Sequence, residues 1–279
     1  GVMGPDEYTP ISNNNAYTNW MVRRNLWLAA RIGQHAGATE EECNAFRDTA
    51  DRLPILRGDD DVLILQCEEF PRLAEPQFDR TWPEREGLFA NAVSQERLYR
   101  TKCLKQADVL MLMMMFPDAF TEEECQAAWD HYVPYTTHDS SLSVGAHAIV
   151  ASRLGMEQKA FDLFQEGLYK DLDVEEGGAA EGIHIAGCGC NWMVVVFGFA
   201  GMRTALERDV LTLAPRLPER WSRMAFPILW KGTRVFIDVR SEGCEIVNRG
   251  EKPITVEVWN QEQTISAATS HMFSRPTGE

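Results

Sequence analysis

From about Asn13 to Leu206 apolar residues recur at three- and four-residue intervals, a helical pattern that divides into about seven segments. The first runs from Tyr17 to Ile32 and stops at Gly33, and the second from Glu40 to Leu53, where Pro54 ends it. Between Arg57 and Glu86 the prolines Pro71, Pro76 and Pro83 forbid a continuous helix, so an irregular segment is expected there. Loops of that length in a compact domain usually carry function or an interface. Helical spacing then predicts Ser94 to Phe116, followed by Glu122 to Tyr132 behind Thr121, which opens a capping-box pattern. Leu142 to Leu154, Glu157 to Leu172 and Trp192 to Leu206 complete the helices.

After Pro215 the period changes. Arg234 to Arg240, Cys244 to Asn248 and Ile254 to Trp259 alternate or cluster β-branched residues between glycines and prolines, as short antiparallel strands do. The pattern predicts a helical domain over residues 1–210 and a small β domain over 211–279, joined around Leu211 to Pro218.

Charge narrows the partners. A formal net charge of -15 leaves no basic footprint for a phosphate backbone, which argues against nucleic acid and anionic membrane. The apolar run from Met111 to Phe116 is far shorter than the ~20 residues of a membrane span and reads as a buried helix face, with Met111, Met113, Met114 and Met115 as core filler. No secretory signal opens the chain, and its seven scattered cysteines suit buried thiols in a reducing compartment, so a cytoplasmic location is expected.

Several patches can carry chemistry. In Gly4-Pro5-Asp6-Glu7-Tyr8 the proline fixes a turn that mounts an acid rigidly, as proton donation requires; the same residues also suit an ordinary helix start. His138-Asp-Ser-Ser-Leu-Ser143 places small hydroxyls where a helix begins, which suits an anion such as phosphate or simply a cap from Asp139 or Ser140. The glycine-rich stretch from Glu175 to His184 allows a backbone to approach a ligand, or serves as a connection. Lys105 and Asp108 fall on one face of the expected helix, either as a solvated pair or with Lys105 and Gln106 turned into a cavity. Cys188 and Cys190 beside His184 lack an evident fourth metal ligand, and the glycines follow no strand, so neither a metal nor a dinucleotide site is expected.

Read together and in order, GPDEY with NNNAYTNW, KQADV, THDSSLS, EGIH, and FGFAGMR with LPERW resemble glycoside hydrolase family 65, the family of inverting disaccharide phosphorylases. The resemblance implies a mainly α chain, the second half of an (α/α)6 barrel followed by a C-terminal antiparallel β-sheet domain. It implies Glu7 as general acid, Ser140, Ser141 and His184 as the phosphate site, and Lys105, Gln106 and Glu181 as sugar contacts. Disaccharide and inorganic phosphate would be the substrates, with no cofactor.

The chemistry is coherent with those roles. Phosphate is already anionic and needs a cradle, whereas a hydrolase needs a second carboxylate to activate water. Glu7 must keep a proton, which apolar surroundings or the neighbouring Asp6 would favour. Two other readings stay open: a hydrolase using Glu181, Glu175 or Glu176 as base, and a non-catalytic sugar-binding fragment. Because the resemblance begins at the acid loop, the chain is expected to be a C-terminal portion. It would then need the N-terminal half of the enzyme, a homodimer partner, or both, to cover apolar helix faces.

Overall fold

The computed structural model describes residues 1–172, 182–203 and 209–276. It divides into two compact units, Gly1–Ser143 and Val144–Glu279.

In the first unit Asn15 caps helix α1 (Ala16–Ile32) by accepting the Thr18 N–H at 2.9 Å. Helix α1 packs on α2 (Glu40–Arg52), which starts on a complete capping box between Thr39 and Glu42. The irregular segment expected over Arg57 to Glu86 follows, holding a 3-10 turn at Phe70–Arg72 and the single helical turn α3 (Phe78–Thr81), and two more single turns, α4 (Phe89–Ala92) and α5 (Gln95–Leu98), come after it. Helix α6 (Asp108–Met115) and helix α7 (Glu122–Tyr132) complete the unit, and Thr121 with Glu124 forms the capping box of α7. Tyr132, Phe70, Ile64, Leu104, Leu110 and Leu112 are fully buried around them. Met113 belongs to that core, whereas Met115 is exposed rather than filler.

The continuous helix expected from Ser94 to Phe116 does not form. Residues between α5 and α6 bond sideways instead: Ala74 N–H donates to Arg100 O at 3.0 Å, Lys102 N–H to Ala74 O at 2.9 Å, and Leu104 N–H to Tyr135 O at 2.9 Å. Two parallel bridges, Ala74 with Thr101 and Leu104 with Thr136, result. Periodicity reports which side chains are buried; it does not report that a backbone has found partners outside its own turn. Lys105 and Gln106 therefore lie in a bend ahead of α6, and Lys105 shares no helical face with Asp108.

In the second unit α8 (from Ser143 to Arg153), α9 (Glu157–Tyr169) and α10 (Ile185–Met193) carry the helical pattern, and α10 widens into a π-type turn over Val194–Phe199. The last helix thus starts seven residues before the expected Trp192. A Cβ on Gly145 would run into Cys190 Sγ, so α8 and α10 touch where α8 has no side chain. Asn191 Nδ2 donates to Gly167 O at 2.8 Å and ties α10 to α9 in the same way. Trp221 packs edge-on against Phe161, Phe164 and Phe199 with centroids 6.0, 5.8 and 5.4 Å away.

Two sheets follow. One has the order β1-β5-β6, from Val210–Leu213, Ile254–Val258 and Gln261–Ile265. The other runs β2-β3-β4-β7, from Arg223–Trp230, Thr233–Arg240, Gly243–Asn248 and Ser270–Ser274. Every pair is antiparallel except β1 with β5, which is parallel in the register Val210 to Thr255. Asn248 closes the turn after β4, its Nδ2 donating to Lys252 O at 2.8 Å while its Oδ1 accepts from Gly250 N–H at 2.9 Å. The mainly helical chain with a C-terminal β region is the fold class expected from the sequence.

Candidate active site

The acid loop and the bend before α6 hold each other by a reciprocal pair of bonds. Asp6 N–H donates to Asp108 Oδ1 at 2.6 Å, and Lys105 N–H donates to Asp6 Oδ1 at 2.9 Å. Pro5 O accepts from Gln106 Nε2 at 2.6 Å. Gly4 is required by this closeness, since a Cβ there would collide with Asp108 Oδ2 and the Asn15 amide. The two stretches become one platform, and on it Lys105 Nζ lies 2.5 Å from Glu7 Oε2. Two of the sequence-predicted site residues are brought together by that contact, with Gln106 beside them on the same segment.

Asp6 faces inward. Its carboxylate is 1% exposed and accepts from four donors: Lys105 N–H, Tyr8 N–H, Thr9 Oγ1 and Gln66 Nε2. Asp108, also buried, accepts from two, Asp6 N–H and Asn15 Nδ2. Burial pushes the Asp6 carboxyl up while its donors pull it back. Burial and then the charge of Asp6 push Asp108 up to about 7. With twice the donors, Asp6 is the carboxylate of the pair, and Asp108 is the group that takes a proton near neutral pH.

This corrects the expectation for Glu7. Its side chain is 56% exposed and faces an ammonium, so among the described residues no apolar wall surrounds it. Asp6 is committed to backbone and side-chain donors in the interior, where it holds the loop rather than facing the Glu7 carboxyl.

In the loop from Thr136 to Ser143, neither Asp139 nor Ser140 serves as the simple cap that spacing allowed. Asp139 accepts from Phe89 N–H at 3.0 Å, Ala90 N–H at 2.9 Å and the Tyr8 hydroxyl. Ser140 Oγ accepts from Leu142 N–H at 3.3 Å, and its carbonyl accepts from Ser143 N–H at 3.0 Å. Ser140 and Ser141 are half-buried, and His138 Nδ1 lies 2.8 Å from Ser143 Oγ.

In the second unit, His184 sits just before α10 and is clamped twice by one carboxylate. Asp171 Oδ1 lies 2.6 Å from His184 Nδ1, and Asp171 Oδ2 accepts from His184 N–H at 2.9 Å. The hydrogen bond from His184 holds the Asp171 carboxyl below its usual range. Asp171 was missed in the sequence because it closes a helical pattern 13 positions from its partner, and no periodicity links the two. Glu175, Glu176 and Glu181, the candidate base and sugar contact, lie outside the described residues.

All seven cysteines are free thiols. Among the described residues no cluster of His, Cys, Asp or Glu could hold a metal ion, and no helix is long and apolar enough to cross a membrane.

Comparison with known proteins identifies the family of the chain. The profile of the glycosyl hydrolase family 65 central catalytic domain matches residues 1–193, and that of the family's C-terminal domain matches residues 202–265. Kojibiose phosphorylase of Escherichia coli is 31% identical over 95% of this chain and 35% of its own length. Maltose phosphorylase of Bacillus subtilis is 33% identical over 94% of this chain and 35% of its own. A solved structure described as a putative kojibiose phosphorylase from human microbiome superposes with a TM-score of 0.86 at 27% identity, covering 99% of this chain and 39% of that one. The chain therefore spans about a third of the length of the curated relatives it matches. With both of the family's profiles matched in order along it, this chain belongs to glycosyl hydrolase family 65.

Proposed function

We propose that the protein containing this chain phosphorolyses an α-linked glucosyl disaccharide with inversion, giving β-glucose 1-phosphate and a free sugar. Glu7 donates its proton to the glycosidic oxygen as the bond from that oxygen to the anomeric carbon breaks. A phosphate oxygen forms the new bond to the anomeric carbon from the opposite face. Ser140, Ser141 and His184 hold the phosphate, with Asp171 keeping the His184 ring in place, while Lys105 and Gln106 bind sugar hydroxyls. Within the protein, residues 1–210 serve as the helical catalytic part and 211–279 as the β domain.

The observation that carries this reading is the reciprocal bonding of Asp6 and Asp108 with the backbones of each other's segments, which presents Glu7 and Lys105 side by side. It supports a donor mounted on stiff backbone, as general acid catalysis needs. Lys105 Nζ lies against Glu7 Oε2, and sugar hydroxyls that bind Lys105 draw it away from the acid. Relatives named as phosphorylases of kojibiose, maltose and trehalose support phosphate as the acceptor. The free thiols suit a reducing, cytoplasmic setting.

The test is a rate measurement on the full-length protein with disaccharide in the presence and absence of inorganic phosphate. Turnover should require phosphate and yield glucose 1-phosphate, and Glu7→Gln should abolish it. Glucose release that ignores phosphate would favour a hydrolase with a base among Glu175, Glu176 and Glu181. Sugar binding without any turnover would favour a binding role. Near-normal turnover in the Glu7→Gln variant would sink the assignment of the acid.

A further inference from the structure

One carboxylate joins three stretches that are far apart in the sequence. Asp139 Oδ2 accepts from the Tyr8 hydroxyl and from Ala90 N–H at 2.9 Å, and Oδ1 accepts from Phe89 N–H at 3.0 Å. Tyr8 is the residue after Glu7, and Asp139 is the residue before Ser140, so the contact runs from the acid loop to the serine loop. Neither end is loose. The Tyr8 ring is 6% exposed in a cluster with Phe78, Trp82, Phe89, Leu98 and Cys103. On the other side, the two backbone N–H groups of α4 also donate to Asp139. Burial, and next the hydrogen bond to Asp139, push the Tyr8 hydroxyl up, so it remains a donor throughout the working pH range.

The backbone beside this contact is held in an unusual conformation. His138 has φ +57, in the left-handed region that non-glycine residues seldom enter, and its ring lies against Ser143. Such conformations persist where the surroundings hold them, and they concentrate at ligand-binding loops. A helix cap would not explain Asp139: α8 begins at Ser143, and both Asp139 oxygens are taken by residues 8, 89 and 90.

We propose that Asp139 is a positioning residue whose contact with Tyr8 couples phosphate occupancy of the 138–143 loop to the placement of Glu7. The inference rests on the reading of Glu7 as the acid and of Ser140 and Ser141 as phosphate ligands. Phosphate bound by the two serines fixes the backbone that carries Asp139. Asp139 then fixes Tyr8, and Tyr8 fixes the adjoining peptide of Glu7. Because both ends of the link are already held, a displacement that phosphate imposes on one end is passed to the other, and the effect is reciprocal. The enzyme would thereby bind disaccharide productively only when the nucleophile is in place, which disfavours transfer to water.

The test is an initial-rate matrix of disaccharide against phosphate on the full-length protein. In the wild type, phosphate should lower the dissociation constant of disaccharide by about fivefold or more, within the ordinary range of coupling between sites. Tyr8→Phe keeps the ring and removes only the hydroxyl. It should bring that factor to about one and lower kcat by about tenfold, the loss expected from about one hydrogen bond to a charged group, while circular dichroism stays unchanged. Asp139→Asn should act in the same direction, because its amide N–H₂ opposes one of three donors. A Tyr8→Phe enzyme with the wild-type factor and kcat, or a wild type with no factor, overturns the proposal. Ser141→Ala run in parallel separates the two levels: if it raises the KM for phosphate while Tyr8→Phe changes nothing, only the coupling fails. If it leaves that KM unchanged, the phosphate assignment itself fails.

Discussion

Replacing Asp108 with asparagine should flatten the dependence of stability on pH between about pH 5 and pH 8. Burial and the charge of Asp6 raise the Asp108 carboxyl from 3.8 to about 7. A carboxyl raised in the folded form holds its proton more tightly there than in the unfolded chain. Its stabilisation is present below the unfolded value and is lost as pH rises through the folded one, the reverse of a salt-bridged aspartate. A shift of about three units corresponds to on the order of 4 kcal/mol, of which about 2–3 kcal/mol falls between pH 5 and pH 8. Urea unfolding of the chain, followed by tryptophan fluorescence, reads this loss directly. For a urea slope of about 1–3 kcal/mol/M, the wild-type midpoint should fall by about 1 M across that range. Asp108→Asn carries a constant penalty of about 1–3 kcal/mol, because its N–H₂ must face Asp6 N–H or the Asn15 amide, both of them donors. That penalty does not titrate, so the variant should lose about 1 M less than the wild type over the same range. Parallel curves for the two proteins would show that Asp108 does not hold the proton and would refute the division of charge between the two aspartates.

Two further outcomes follow from geometry. Gly145→Ala drives a methyl into Cys190 Sγ and should destabilise the chain by about 1–3 kcal/mol, whereas Gly189→Ala, in the same helical layer with open space around it, should stabilise α10 by about 0.5–1 kcal/mol; thermal melts of the two variants should move in opposite directions. Asp171→Asn frees the His184 ring from its clamp and should raise the KM for phosphate about tenfold with kcat changed far less, since a hydrogen bond to a charged group is worth about 1.5–3 kcal/mol; an unchanged phosphate KM in steady-state assays would remove His184 from the anion site.

Where local chemistry decided the structure, the sequence was readable. Thr121 and Glu124 announced α7, Pro54 ended α2, and the β-branched runs marked β3, β4 and β5. Two of the four strands that escaped notice lack that signature: β6 is Gln-Glu-Gln-Thr-Ile with only its last residue buried, and β2 carries Pro227 in an edge position. The segment around Lys105 was misread because its apolar spacing is helical, while its backbone is drawn sideways by Ala74 and Tyr135.

The same distinction holds at the site. Resemblance named Glu7, Lys105 and Gln106, but the contact of Lys105 with Glu7 depends on Asp6 and Asp108, whose bonds join stretches about a hundred positions apart along the chain. Asp139 looked like a helix cap because capping residues and loop-to-loop ties use the same residue types. Only three-dimensional proximity tells them apart.

The reciprocal clamp also sets a rule for recombining this chain with its relatives. A chimera that takes residues 1–12 from one parent and 104–108 from another splits the clamp between two histories. Each parent's aspartate must then find the other's backbone N–H, and the glycine at position 4 must accompany them. Crossovers that keep both stretches from one source, together with Asn15 and Gln66, whose amides donate to Asp108 and Asp6, preserve the clamp and the placement of Lys105 against Glu7.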